Sequence, residues 1–118
     1  MTKIIETSIG PVPFGSNAAT PILCKAVFKI DIFKFFEEVA ENPADVNAET
    51  MERIAFIMAA SMNHSTREVL TMGEDEFLAW LMQFEFTEMI QGIIPKVMEL
   101  WVESNETKIE QKNQVGPQ

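Results

Sequence analysis

Side chains able to do nucleophilic or acid–base chemistry are few in this sequence and far apart. The one histidine, His64, lies in a predicted turn before Ser65, and the one cysteine, Cys24, lies in a predicted helix. Covalent catalysis needs a nucleophile, a base and an orienting group within reach of one another. We therefore expect His64 to be a helix-boundary residue and Cys24 a small buried hydrophobic residue. The sequence predicts that the chain is not an enzyme.

Metal and cofactor signatures are equally weak. A structural zinc site needs several clustered cysteines and histidines, and this chain has one of each. The run Glu74, Asp75 and Glu76 lacks the alternating spacing and the glycine of a calcium loop. Its three carboxylates instead suit the positive N-terminal end of a helix. With no glycine-rich phosphate loop in addition, the sequence predicts neither a metal nor a cofactor.

The charge of the chain restricts the partners that it could bind. The formal net charge is −9, which repels nucleic-acid phosphates and anionic membrane surfaces and favours a basic partner. Three acidic residues, Glu37, Glu38 and Glu41, end a predicted helix and form either a solvated face or a docking patch for such a partner. No apolar run is long enough for a membrane span, and the first ten residues lack the apolar core of a signal peptide.

The elements that position these residues are predicted to be mainly helical. Residues 3–9 and 12–14 read as extended pieces that form at best an irregular hairpin, because prolines interrupt the second piece. About five helical segments follow within one domain, residues 1–103. Residues 104–118 are polar and bury too little apolar surface to order themselves, so we expect a flexible, disordered tail.

Local signals give the helix boundaries. Thr20 and Pro21 begin the first helix, which should end near Pro43. Asp45 or Asn47 caps the next helix, on which Arg53 can pair with Glu49. Ser65 and Glu68 form a capping box for a short helix, and an acidic turn opens the fourth. The last helix runs from about residue 86 to 103, with a kink or restart expected at Gly92 and Pro95.

Residues 20–41 read as one helix with apolar residues on two faces. One stripe is Leu23, Ala26, Ile30, Phe33 and either Phe36 or Ala40, and the other is Phe28, Ile32, Phe35 and Val39. A surface helix needs only one apolar face, so we expect another chain, either a client or a second copy, to cover the second stripe. With two tryptophans that could complete a groove for a partner helix, the candidate partner-binding residues are Phe28, Ile32, Phe35, Val39, Trp80 and Trp101.

Several segments, taken in order over about residues 10–103, resemble a phage protein family. These are the small tail assembly chaperones of long-tailed phages of low-GC Gram-positive bacteria. The segments are VPF at 12–14, ATPI at 19–22, FKIDI at 28–32, IAFIMA at 54–59, WLMQF at 80–84 and IPKVMELW at 94–101. The chain departs from the family pattern at Cys24 and Lys25, where an aromatic-basic pair is common, and at Lys29, where glycine is frequent.

The resemblance implies a mostly helical chaperone of viral morphogenesis. Such a protein binds the tape measure protein and keeps this long, aggregation-prone helical rod in solution while tube subunits polymerise. The tail tube protein is a second candidate partner, and homo-oligomers are an open alternative. The resemblance also implies that the chain acts in the host cytoplasm and is absent from the mature virion.

Two other functions stay open at the level of sequence. The chain could be a structural or minor tail component that remains in the particle. It could also be a helical adaptor that binds a partner peptide outside phage biology. Peptides of this chain in purified particles would favour the first, and a gene located away from the tail tube and tape measure genes would favour the second.

Overall fold

The computed structural model describes the backbone of residues 1–115 and the side chains of residues 1–105. Within them a two-stranded hairpin precedes a series of helices, which confirms the prediction of a mainly α fold with an extended N-terminal segment. The elements are β1 (Thr2–Thr7), β2 (Gly10–Gly15), α1 (Thr20–Phe28), α2 (Ile32–Glu41), α3 (Ala48–Asn63), α4 (Thr66–Leu70), α5 (Glu74–Leu81), α6 (Phe86–Glu88) and α7 (Ile94–Val115).

The hairpin is more regular than the sequence predicts. Its strands pair antiparallel without a bulge, with Ile5 opposite Val12. Gly10 adopts a φ of 104° at the turn, where the hydroxyl of Thr7 donates a hydrogen bond to the Gly10 carbonyl at 2.7 Å. The two prolines of β2 are two residues apart, so both ring nitrogens face the same edge and leave the ladder intact. Phe14, at the end of β2, is fully buried and anchors the hairpin to the helices.

The prediction of a single helix over residues 20–41 was wrong, because the chain breaks between α1 and α2. Lys29 follows the last residue of α1 in the left-handed conformation, with a φ of 59°. Asp31 then caps α2, and its carboxylate accepts a hydrogen bond from the Lys34 amide at 3.1 Å. A left-handed residue and a new N-cap end one helix and begin another, so the two predicted stripes do not share one axis.

The helix covered on all sides is α3. Met51 and every residue of 54–60 are buried, which includes positions on opposite sides of the helix. Asn47, one of the two predicted caps, caps its N-terminus. The side-chain oxygen of Asn47 accepts a hydrogen bond from the Thr50 amide at 3.1 Å. The hairpin, α1, α4, α5 and α7 all pack against it. The core is therefore built around α3, whereas the sequence assigned two buried faces to residues 20–41.

Two short helices follow with the predicted capping. The Ser65 hydroxyl accepts from the Glu68 amide, and the Glu68 carboxylate accepts from the Ser65 amide, which confirms the capping box. Glu76 accepts from the amide of Gly73 at 2.7 Å at the start of α5. These bonds satisfy amides that have no partner inside the helix.

The last helical stretch restarts where the sequence predicts. A π-helical turn, Met89–Ile93, separates α6 from α7 and contains Gly92. Pro95 then falls in the first turn of α7, directly after this π-helical turn.

The helix α7 continues beyond residue 103, where the sequence predicts that the last helix ends. The hydroxyl of Ser104 donates to the Leu100 carbonyl and the amide of Asn105 donates to the Trp101 carbonyl, so these two residues belong to the helix. Side chains of the predicted tail from residue 106, and the backbone of 116–118, lie outside the described residues. Each described helix is too short or too polar to cross a bilayer.

Candidate functional site

Two of the predicted partner-binding residues belong to an aromatic cluster inside the chain. Phe28 meets the rings of Phe56 and Phe77 edge-on, with centroids 6.1 and 5.7 Å apart. Trp80 lies 5.7 Å from Phe56 and also contacts Phe14 and Phe84. Such edge-to-face contacts are typical of packed cores. Phe28 and Trp80 therefore hold α1, α3, α5 and the hairpin together, and the chain's own rings cover most of their surface.

An arginine completes one side of this cluster. The guanidinium of Arg53 lies 4.7 Å from the ring centroid of Phe77 and 5.9 Å from that of Phe28. It also donates two hydrogen bonds to the carboxylate of Glu74, at 2.8 and 2.9 Å. The prediction that Arg53 pairs with the Glu49 carboxylate was wrong. On Glu49, Arg53 donates a hydrogen bond only to the backbone carbonyl. Arg53 thus covers part of the Phe28 ring, which the sequence assigned to a second protein.

Ile32 is likewise unavailable at the surface. It is 1% exposed and is the only fully buried residue of α2. Phe35 and Val39, the remaining members of the predicted second stripe, are half-buried and line a shallow depression between α2 and the start of α3. The second stripe thus runs from the interior at Ile32 to partly open surface at Val39.

Trp101 connects α7 to the outer face of α2. Its indole stacks on Phe36, with centroids 5.5 Å apart and planes at 20°, and Phe33 approaches it to 5.4 Å. Trp101 is 7% exposed, whereas Phe33 is 58% exposed. Phe33 and Phe36 come from the stripe that the sequence assigned to the chain's own core. Phe33 is nevertheless far more exposed than Ile32, which belongs to the stripe assigned to a partner.

An apolar groove opens between these two helices. We name it the α2/α7 groove, and its walls are Phe36, Val39, Ala40, Met98, Trp101 and Val102, with Asn105 at one end. It encloses about 330 Å³, at the small end of the range of ligand pockets, and suits the side chains of a partner better than a cofactor. Of the six predicted binding residues, the groove brings together Val39 and Trp101.

Two further depressions adjoin the groove along α7. One shares Trp101 and Asn105 with it and is lined further by Ile22 and Phe33. The other shares Met98 and Val102 and begins at Pro95. Ile22 is 68% exposed, so apolar surface continues beyond the groove itself. Contiguous apolar surface of this kind is typical of interaction sites.

Acidic side chains lie beside the groove on α7 and on the far side of α2. Glu37, Glu38 and Glu41 line the depressions on the far side of α2, and Glu99 and Glu103 line the one beside Pro95. Lys3 of the hairpin pairs with Glu99 at 3.0 Å and approaches Glu103 to 4.0 Å. Within the described side chains, the three glutamates of α2 form no ion pair.

The side chains that could act as a nucleophile or a base lie away from the groove, in surroundings that suit a structural role. Burial raises the pKa of the Cys24 thiol from its ordinary value of 9.0 to about 12, which confirms it as a buried hydrophobic residue. His64 is exposed at the end of α3, as predicted for a boundary residue, with Nδ1 3.7 Å from Glu68. Over the described part of the chain, no three His, Cys, Asp or Glu side chains are grouped to hold a metal ion.

The sequence contained a signal for the residues that it missed. Phe33, Phe36 and Ala40 are spaced three and four apart, and so are Met98, Trp101 and Asn105, so each set lies on one face of its helix. The spacing does not show that these two faces meet.

Comparison of the chain with family models, with curated proteins and with solved structures found no match.

Proposed function

We propose that this chain is a phage tail assembly chaperone that binds apolar helical segments of the tape measure protein. The observation that carries the proposal is the α2/α7 groove, an open apolar surface with Trp101 and the exposed Val102 in its walls and the exposed Phe33 beside it. Grooves of this type bind the apolar face of an amphipathic helix. A long helical client with exposed apolar faces is the kind of partner that such a groove would keep from aggregating.

The left-handed residue between α1 and α2 adds support to the resemblance. The family has a frequent glycine where this chain has Lys29, and Lys29 has a φ of 59°. Glycine is the residue that adopts this conformation at least cost. The aspartate of the FKIDI segment, Asp31, is the cap of α2, so the segment has a physical role as a helix break.

In this proposal the chain acts in the host cytoplasm and leaves the tail before the particle is complete. The acidic helix ends would keep the complex of chaperone and client from aggregating, because complexes of like charge repel one another. The tail tube protein is a second partner for which the groove provides no separate observation.

The proposal is tested by co-expressing the chain with the long helical protein encoded beside it. We expect the two proteins to co-purify and the soluble fraction of the long protein to increase. A Val102→Gln variant should lose both effects, whereas Met82→Gln, at a side chain that is 84% exposed on another surface, should retain them. If the unaltered chain neither co-purifies with the long protein nor raises its soluble fraction, the proposed function is wrong.

Mass spectrometry of purified particles separates the chaperone from a structural tail component. We expect peptides of this chain in lysates of infected cells and not in the particles. Abundant peptides in the particles would reject the chaperone and favour the structural component.

A further inference from the structure

The outer edge of β1 presents backbone groups that have no partner in the described part of the chain. Met1 and Ser16 exchange two backbone hydrogen bonds of 2.8 Å, so they form a hydrogen-bonded pair at the open end of the hairpin. Hydrogen-bonded and non-hydrogen-bonded pairs alternate along an antiparallel ladder. The amides and carbonyls of Thr2, Ile4 and Glu6 therefore point away from β2, and no described residue bonds to them.

The outer edge of β2 lacks the matching donors. Pro13 lies opposite Ile4 and Pro11 lies opposite Glu6, so two of the three β2 positions that point outward are prolines. The third, Gly15, is buried. Proline has no amide hydrogen and blocks the addition of a strand to an edge. The hairpin therefore has one edge that can accept a further strand, and this edge belongs to β1.

The side chain at the centre of this edge is apolar and open to solvent. Ile4 is 65% exposed, whereas the adjacent Ile5 is 2% exposed, because successive side chains of a strand point to opposite faces. Thr2 and Glu6 lie on the same exposed face as Ile4. A strand added to β1 would place a side chain directly against Ile4, and apolar cross-strand pairs of this kind stabilise a sheet.

The edge is complementary to a second copy of itself. If two β1 strands pair antiparallel about Ile4, the two Ile4 side chains lie opposite each other and Thr2 lies opposite Glu6. Every outward-pointing residue of one strand then faces an outward-pointing residue of the other, which allows about six hydrogen bonds. On the other face Lys3 lies opposite Ile5, so like charges are not directly opposed.

The local charge of the hairpin also permits this contact. Each chain has a net charge of −9, so two copies repel each other over most of their surface. Residues 1–16 contain one basic and one acidic side chain, Lys3 and Glu6, and these charges cancel. The edge is short, so the area that it buries falls below about 1,200 Å², the range of transient complexes. The contact should therefore be specific but weak.

We propose that two copies of this chain form a weak symmetric dimer in which the β1 strands pair antiparallel about Ile4. The dimer has a four-stranded sheet whose outer strands are the proline-containing β2 strands, so assembly ends at two copies. Among the described side chains, those of β1 line neither the α2/α7 groove nor the two depressions that adjoin it. The dimer goes beyond the proposed function and keeps the groove outside its interface.

Sedimentation velocity of the full chain tests the dimer over concentrations from about 10 µM to 1 mM, a range suited to a weak interface. We expect a monomer at the low end, a dimer at the high end and no larger species. Ile4→Lys places two positive charges opposite each other on the symmetry axis and should abolish the dimer, although it reduces the net negative charge. Met82→Lys makes the same charge change at a side chain that is 84% exposed on another surface and should leave the dimer unchanged.

Cysteine variants test the register. The Cα atoms of Thr2 and the opposing Glu6 would be about 5.5 Å apart, within the span of a disulfide, whereas those of the two Thr2 residues would be about 14 Å apart. Under mild oxidation, a mixture of Thr2→Cys and Glu6→Cys chains should cross-link at least ten times faster than either variant alone. The native Cys24 is buried and is common to all samples.

Each contrary result overturns a stated part of the inference. A monomer at every concentration rejects a second copy as the occupant of the edge. A dimer that persists in Ile4→Lys rejects the β1 edge, and one that Val102→Gln abolishes assigns the interface to the groove. Rapid cross-linking of Thr2→Cys alone rejects the antiparallel register, and species larger than a dimer reject closure of the sheet by β2.

Discussion

The ring of Phe36 stacks on the indole of Trp101, with centroids 5.5 Å apart and an interplanar angle of 20°. Phe33 approaches the same indole at 5.4 Å and 60°. Both rings belong to α2 and the indole belongs to α7, so these aromatic contacts join the two helices. They set the distance between the two helices and so shape the groove between them.

Truncation of Phe36, which stacks on Trp101, should destabilise the fold more than truncation of Phe33. We expect Phe36→Ala to lower the free energy of unfolding by about 2 kcal/mol, because a half-buried ring and an aromatic pair are both lost. Phe33→Ala should cost about 0.5 kcal/mol, since most of that ring is already in water. Urea denaturation followed by tryptophan fluorescence measures both, and equal losses would show that the stack does not hold α2.

The ion pair between Arg53 and Glu74 should make stability depend on pH. The hydrogen bonds from Arg53 hold the pKa of the Glu74 carboxyl below its usual range. The resulting stabilisation is present above the unfolded-state pKa of about 4.3 and is lost as the pH falls through the lower folded-state pKa.

Comparison with Glu74→Gln isolates this effect. We expect the variant to be less stable than the parent at neutral pH and the difference to shrink as the pH falls below about 4. Chemical denaturation at a series of pH values gives the difference directly. Glu6→Gln, on the exposed face of β1, is the control and should change stability little at any pH. A pH-independent difference for Glu74→Gln would reject the ion pair as its cause.

The Cys24 thiol should be unreactive until the chain unfolds. Its pKa of about 12 leaves almost no thiolate at neutral pH, and the side chain has no exposed surface. We expect a thiol reagent to modify the native protein at the rate of unfolding and the urea-unfolded protein at once. Rapid stoichiometric labelling of the native chain would contradict the burial.

The same thiol should lower stability at high pH. The unfolded chain releases the proton near pH 8.5, whereas the folded chain keeps it to about pH 12, so stability decreases as the pH rises between these values. The Cys24→Ala variant has no thiol and therefore lacks this dependence of stability on pH. The slope of unfolding free energy against pH above 8.5 should therefore be smaller in the variant than in the parent.

Two positions with positive φ should respond to substitution in opposite directions. Lys29→Gly should stabilise the protein by up to about 1 kcal/mol, because a side chain in the left-handed region costs about 1–2 kcal/mol and glycine offsets part of this with its greater unfolded-state entropy. Gly10→Ala should destabilise it by about 1 kcal/mol, since Gly10 has a φ of 104° at the hairpin turn. Thermal melts of both variants test the signs, and stabilisation by Gly10→Ala would contradict the turn geometry.

Local features of this fold could be predicted from the sequence because they depend on residues a few positions apart. Asn47 caps α3, Ser65 and Glu68 cap each other, and Pro95 falls in the first turn of α7, all by hydrogen bonds or steric effects within one turn. The break at Lys29 was missed because an apolar pattern at helical spacing continues across it, and lysine carries no signal for the left-handed conformation.

What only the tertiary structure decided is which apolar surface the chain covers. Spacing placed Phe28 and Phe33 on different faces, but it could not tell that α3, α5 and Arg53 enclose Phe28 while Phe33 stays open beside Trp101. Burial is set by contacts between residues far apart in the chain, and a periodic pattern records only that a face is apolar. The sequence by itself therefore determined a helical chain with more apolar surface than one helix face requires. The packing of α2 on α7 determined where the uncovered part lies.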